Sequence, residues 1–312
     1  MPDTPSPLHL RGLVAAAFTP LNADAQPDLD RIPAVVDHLA GHGIAGIYVL
    51  GTTGEGPSFT EAERRTVAEA YVAAAKARGI PSLIQVGSES IGAARGLAEH
   101  AQSVGADAIS AVPPTDFKPD SAAHLVEIIA GIAAGAPDLP FYYYHIPALS
   151  KIEVDPVELA KLGAEAIPNF AGIKFSEIRF FLLQPMQAAA PDCEFLSGSD
   201  ECYLMTLAQG WQSAIGSTYN FSAPLYRRVE DAFAAGDWEA ARLWQHRAQR
   251  VIDALFAECG RAGLKTMMKM VGVDCGPARL PQRQPTPAQE AALRARLESM
   301  GFYDWMGIDS PS

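Results

Sequence analysis

Phe141-Tyr142-Tyr143-Tyr144-His145-Ile146-Pro147 and Ala171-Gly172-Ile173-Lys174-Phe175-Ser176 are the stretches on which the fold turns. Both are near-continuous apolar or aromatic runs, as expected of strands covered on both faces. One breaks at a proline and the other ends on a lysine and a serine. Strand cores are read at 141–144 and 172–175, and similar runs recur at 13–18, 46–50, 82–86, 108–112, 194–196 and 214–215. Alanine-rich stretches with helical periodicity separate them, such as 61–77, opened by Thr60 with Glu63 three positions on. Eight strand–helix units ending near Thr218 predict a closed (β/α)8 TIM barrel. An open doubly wound sheet is the alternative. Against it, no G-x-G-x-x-G turn follows the first run, and Gly51-Thr52-Thr53-Gly54-Glu55-Gly56 after the second has a different spacing.

After Phe221 the strand pattern stops. Segments 223–236, 238–259 and 287–300 read as helices, with a proline-rich connection at 277–287. The expected organisation is therefore an N-terminal tail at 1–11, a barrel at 12–222 and a C-terminal helical region at 223–312.

Composition limits the function classes. A chain of 312 residues, 48% hydrophobic and 19% charged, can bury a large core and is too apolar for disorder. Its net charge of −12 argues against nucleic acid or an anionic membrane as partner. An anionic substrate would need local positive potential. The start, Met1-Pro2-Asp3-Thr4-Pro5-Ser6-Pro7, lacks the basic-then-apolar order of a signal peptide, and no run approaches the ~20 apolar residues of a membrane span. Cys193, Cys202, Cys259 and Cys275 have no CxxC spacing, so they read as reduced packing residues in a cytoplasmic protein. His38 and His42 stand i, i+4 without a glutamate after His38, so no metal is expected.

In a barrel the carboxyl ends of the strands build the site. Lys174 ends the sixth run, where partial burial disfavours the ammonium; in water only about 0.1% of a lysine is neutral near pH 7.4. A neutral amine there forms a Schiff base with a ketone, and the Tyr144 phenol could shuttle the protons. The alternative is a snorkelling surface lysine. Thr52 and Thr53 follow the second run in a glycine-rich turn whose hydroxyls and amides could cradle a carboxylate, or merely cap a helix. Ser176 follows the sixth run, Gly198, Ser199, Asp200 and Glu201 the seventh, and Gly216, Ser217 and Thr218 the eighth. Asp200 and Glu201 also suit a helix start. Glu55 reads as fixing the N–H groups of its own turn. Lys265 and Lys269, i, i+4 on a helical segment, read as a solvated or capping face. His145 should point opposite to Tyr144, in a packing or hydrogen-bonding role.

Gly51-Thr52-Thr53-Gly54-Glu55, Tyr144-His145-Ile146-Pro147-Ala148-Leu149-Ser150 and Gly172-Ile173-Lys174 together resemble the dihydrodipicolinate synthase/N-acetylneuraminate lyase superfamily of class I aldolases. The resemblance runs over 12–281, and the 30 residues between Tyr144 and Lys174 suit it. It implies a barrel with a helical carboxy-terminal part, usually a homotetramer, forming a Schiff base with pyruvate or a pyruvate-derived group, and no cofactor. Tyr144 to Leu149 resembles the lyase branch, since synthases carry an arginine at the position of Leu149. Gly198-Ser199-Asp200-Glu201 and Gly216-Ser217-Thr218-Tyr219-Asn220 resemble that branch too, and Gly276-Pro277-Ala278-Arg279-Leu280-Pro281 its animal-type members. By that resemblance Lys174 and Tyr144 are catalytic and Thr52 and Thr53 hold the carboxylate. Ser176, Gly198, Asp200, Glu201 and Ser217 would bind the hydroxyl chain of N-acetylneuraminate as it is cleaved to N-acetylmannosamine and pyruvate. A different sugar acid, or a non-catalytic sensor on an inherited barrel, are the rival expectations. Pro113-Pro114-Thr115-Asp116-Phe117-Lys118 departs from the pattern. Only Phe117 is aromatic, where many members carry an aromatic pair, one ring of which reaches a neighbouring subunit.

Overall fold

The computed structural model describes residues 5–310, so residues 1–4 of the expected tail and 311–312 of the helical region lie outside it. Eight strands appear where the apolar runs stand: β1 Gly12–Ala16, β2 Gly46–Val49, β3 Ser82–Gln85, β4 Ala108–Ala111, β5 Phe141–His145, β6 Phe170–Phe175, β7 Glu194–Ser197 and β8 Ser213–Gly216. Each pairs in parallel with its sequence neighbours, and β8 pairs with β1 to close the barrel. Closure leaves no unpaired sheet edge.

Two apolar layers account for the unbroken runs. Residues such as Val14, Tyr48, Leu83, Tyr142, Tyr144 and Leu196 cluster inside the barrel. Their chain neighbours, such as Leu13, Ile47, Ile84, Tyr143 and Phe195, pack outward against the helices. Both faces of the strands are almost wholly shielded from water, so apolar residues dominate on both. At the amino-terminal end of the strands, the Leu8 amide donates to the Tyr142 hydroxyl (2.9 Å), which donates to the Glu194 carboxylate (2.6 Å), and the segment before β1 plugs that end.

Helix Glu61–Arg78 starts with the expected capping box between Thr60 and Glu63. Helix Tyr219–Ala234 is broken at Ser222, just before Pro224, so the second limb begins where the proline suggests. It packs on β1. Helices Trp238–Glu258, Gly263–Met270, Pro287–Met300 and Phe302–Met306 follow. All four cysteines are free thiols.

One feature of β6 orients the site. Phe141 pairs with Phe170, yet Tyr142 pairs with Gly172, so Ala171 is an extra residue, a β-bulge. Gly172 takes φ +150°, and a Cβ there would lie 1.7 Å from the Glu194 carbonyl oxygen. Only glycine fits. By simple alternation Lys174 would share the outward face of Phe170. The bulge reverses the phase, and Lys174 pairs with Tyr144 and points into the barrel.

Candidate active site

Lys174 is buried, its Nζ 3.9 Å from the centre of the Tyr144 ring and 4.0 Å from that of Tyr48. Two aromatic faces flank the amine, and among the described residues no carboxylate makes an ion pair with it. Burial pushes its pKa below the ordinary lysine range, and the Tyr144 phenol and, more weakly, Asp200 pull it back. Such an amine gives up its proton more readily than a surface lysine. Tyr48 lies edge-on to Tyr144 and donates to the Ser110 hydroxyl at 3.2 Å. Burial holds its phenol well above the ordinary range, hence protonated. The sequence reading missed Tyr48. Its inward parity on the strand before the Thr52–Thr53 turn was the available signal.

The turn after β2 runs through two left-handed residues, Leu50 (φ 61°) and Glu55 (φ 58°). Among the described residues, the Thr52 and Thr53 amides donate to no other backbone group. Gly54 is held by the Thr19 hydroxyl, which donates to its carbonyl (2.6 Å). The turn therefore offers unpaired donors, as an anion needs.

Glu55 departs from expectation. Its carboxylate is buried and accepts from the Arg279 amide (2.7 Å) and Lys265 Nζ (2.6 Å), not from its own turn. Lys265 is accordingly not on a solvated face: it is buried, and it also donates to the Pro277 carbonyl (2.9 Å). Lys269, one turn on, is exposed. An ammonium can be buried when a carboxylate and a carbonyl accept its hydrogen bonds.

Asp200 is also buried and opens a short 3-10 helix. Its carboxylate does not cap that helix but accepts from the amide (2.9 Å) and hydroxyl (2.7 Å) of Thr218, across on the β8 loop. Thr218 in turn meets the Tyr226 hydroxyl at 2.8 Å. Gly216 makes room, because a Cβ there would fall 2.0 Å from Asp200 Oδ1. Burial, helped by the neighbouring Glu201 charge, pushes Asp200 up to about 7, while the Thr218 bonds and Lys174 act the other way. Glu201 is exposed beside it. Ser176 and Gly198 touch: a Cβ on Gly198 would overlap Ser176 Oγ. Ser217 is half-buried, and its carbonyl accepts from Asn220.

His145 faces away from Lys174, as alternation requires. It stacks on Phe175 (5.2 Å, 7°), and its Nε2 bonds Glu177 at 3.0 Å. Phe117 is 89% exposed, and the amides of Thr115 and Asp116 beside it are tied to Glu89. Leu149, half exposed, lines a cleft of about 420 Å³ with Thr52, Val112 and Ile146. Arg64 lines the same cleft. Its guanidinium is buried on the Gln85 and Gly87 carbonyls, and burial brings its pKa down to about 10, still cationic at neutral pH. It supplies positive potential beside Thr52 in an acidic protein. A larger cleft, about 720 Å³, lies between Arg11, Pro168, Gln212 and their neighbours at the opposite end of the strands, away from Lys174. Among the described residues no group of three His, Cys, Asp or Glu side chains is placed to hold a metal.

The profile of the Dihydrodipicolinate synthetase family matches residues 9–300. N-acetylneuraminate lyase of Rattus norvegicus is 36% identical over 304 residues, 96% of this chain and 95% of that protein. Among solved structures, Proteus mirabilis N-acetylneuraminate lyase superposes with a TM-score of 0.90 at 35% identity, covering 94% of this chain and 99% of that one. A dihydrodipicolinate synthase of Bacillus anthracis superposes at 0.86 with 26% identity, covering 93% and 98%.

Proposed function

The chain belongs to the dihydrodipicolinate synthetase family, and from that premise we propose that it is a carbon–carbon lyase splitting N-acetylneuraminate into N-acetylmannosamine and pyruvate. The observation that carries the chemistry is the buried Lys174 amine between the rings of Tyr48 and Tyr144. In this reading the Lys174 amine attacks the C2 ketone of the open-chain sugar acid. The carbinolamine loses water with proton transfer through Tyr144, leaving a protonated imine. Tyr144 then takes the proton of the C4 hydroxyl. The C3–C4 bond breaks, its electron pair moves into the imine, and N-acetylmannosamine leaves as the aldehyde. Protonation of the resulting enamine at C3 and hydrolysis of the imine release pyruvate and restore the amine.

Thr52 and Thr53 receive the C1 carboxylate on their hydroxyls and amides. Ser176, Gly198, Asp200, Glu201 and Ser217 line the path of the hydroxyl chain. Asp200 and Glu201 act as acceptors, which a polyol needs and an anionic aldehyde would be repelled by. Leu149 provides no cation for a second carboxylate. That absence favours the lyase reading over the synthase reading.

We divide the chain into tail 1–11, barrel 12–222 and helical region 223–312, on the start of β1 at Gly12 and the break at Ser222. No helix among the described residues is long and apolar enough to cross a membrane. Homotetramer formation and a cytoplasmic site of action are part of the same proposal. A coupled assay of pyruvate release across a panel of sugar acids tests it. N-acetylneuraminate should give the highest kcat/KM, and preference for a different sugar acid would reassign the substrate.

A further inference from the structure

The C-terminal helical region reaches the Thr52–Thr53 turn through a buried ion pair. Glu55 ends the Thr52–Thr53 turn, and its carboxylate meets Lys265 on helix Gly263–Met270 at 2.6 Å. The other carboxylate oxygen accepts from the Arg279 amide, and Lys265 also binds the Pro277 carbonyl. Segment 275–279 is itself pinned. The Leu21 amide donates to the Cys275 carbonyl (3.0 Å), and a Cβ on Gly276 would overlap the Leu21 oxygen. The Arg279 guanidinium forks onto Glu63 (2.6 and 3.0 Å) and donates to the Ala25 carbonyl (2.9 Å). Lys265, Leu264 and Ala278 line one small cleft with Thr52, Thr53 and Glu55.

We propose that Lys265, through its ion pair with Glu55, is a positioning residue for the turn that receives the substrate carboxylate, so that the helical region completes the site. The inference rests on the reading of Thr52 and Thr53 as that receiver. Two physical effects follow from the pair. It fixes the left-handed Glu55 that closes the turn, and hence the aim of the amides before it. It also cancels a buried negative charge that would otherwise repel an incoming carboxylate. Both act on the carboxylate equally in the ground and transition states. Their loss therefore raises KM and leaves kcat nearly unchanged.

The test is borohydride trapping with two ketones on the full-length protein. Pyruvate uses the turn, whereas acetone, having no carboxylate, does not. Lys265→Met should raise the half-saturating pyruvate concentration by about tenfold or more, because it orphans the Glu55 charge. Acetone trapping should stay within about twofold, since the Lys174 pocket is untouched. Glu55→Gln with Lys265→Met orphans no charge and guards against a single variant that does not fold. It should show a smaller rise in the same direction, again with acetone unmoved. Equal losses with both ketones, or an unchanged pyruvate half-saturation in either folded variant, would overturn the inference. Absence of any adduct in the unmutated protein would instead sink the lysine-imine reading on which it rests.

Discussion

Tyr144 and Lys174 are register partners on β5 and β6, and they share the barrel interior because Ala171 is one residue more than the ladder needs. Without that bulge the lysine would turn toward the helices. The catalytic reading therefore depends on a backbone irregularity three residues before the amine.

Gly172 makes the irregularity possible, since its φ of +150° and the Glu194 carbonyl both exclude a side chain. Gly172→Ala should cost about 3 kcal/mol or more, as a forced φ combined with a backbone clash. Chemical denaturation of the variant measures this, and a midpoint equal to that of the parent would contradict the role given to the bulge.

The Tyr144 hydroxyl carries protons in two steps of the proposed mechanism. Tyr144→Phe should retain the fold and the aromatic wall beside Lys174 while lowering kcat by about 10²–10⁴, the usual contribution of a general acid–base group. An unchanged kcat would reduce the tyrosine to packing.

If Asp200 accepts from the sugar hydroxyls as proposed, it links pH to both binding and stability. A carboxyl raised to about 7 binds its proton more tightly in the folded protein than in the unfolded chain. Its stabilising contribution is then complete below the unfolded pKa near 4, and is lost as pH rises toward 7. Asp200→Asn should accordingly raise stability at pH 8, by about 1–4 kcal/mol, and change it little at pH 4. The variant should lower kcat/KM for the sugar acid while pyruvate imine formation persists. In the parent enzyme, KM for the sugar acid should climb as pH falls below about 7, where the acceptor is lost. Thermal melts at the two pH values and a KM–pH profile check both signs. A destabilised Asp200→Asn at pH 8 would mean that the Thr218 bonds require the charge.

Specificity against the synthase reaction follows from Leu149, an alkyl side chain at the mouth beside Thr52 and Ile146. The protein should not condense pyruvate with aspartate semialdehyde at a measurable rate under conditions where it cleaves N-acetylneuraminate. A site whose buried groups await hydroxyls leaves them unpaired with the wrong partner, a penalty that can reach about 10⁴ in kcat/KM. Efficient condensation in the unmutated protein would contradict the assignment.

Much of this was legible in the chain itself, for identifiable reasons. Strands sandwiched between two apolar layers leave unbroken runs, so all eight could be located from the positions of those runs alone. Thr60 and Glu63 specify a helix start with local chemistry only. Lys174 and Tyr144 stand out because a polar residue ending an apolar strand needs a reason. What could not be read depends on distant partners. Glu55 is answered by Arg279, 224 residues further on, and by Lys265, whose spacing from Lys269 looks like that of any solvated helix. Asp200 likewise resembles a helix cap until Thr218 is brought beside it. The bulge at Ala171 is invisible without the register of β5.

The central claim is that Lys174 forms the imine. Incubation with pyruvate and borohydride, followed by peptide mass spectrometry, should find a reduced three-carbon adduct on the peptide carrying Lys174 and on no other lysine. An adduct on Lys265 or Lys269, or no adduct at all, would contradict the account.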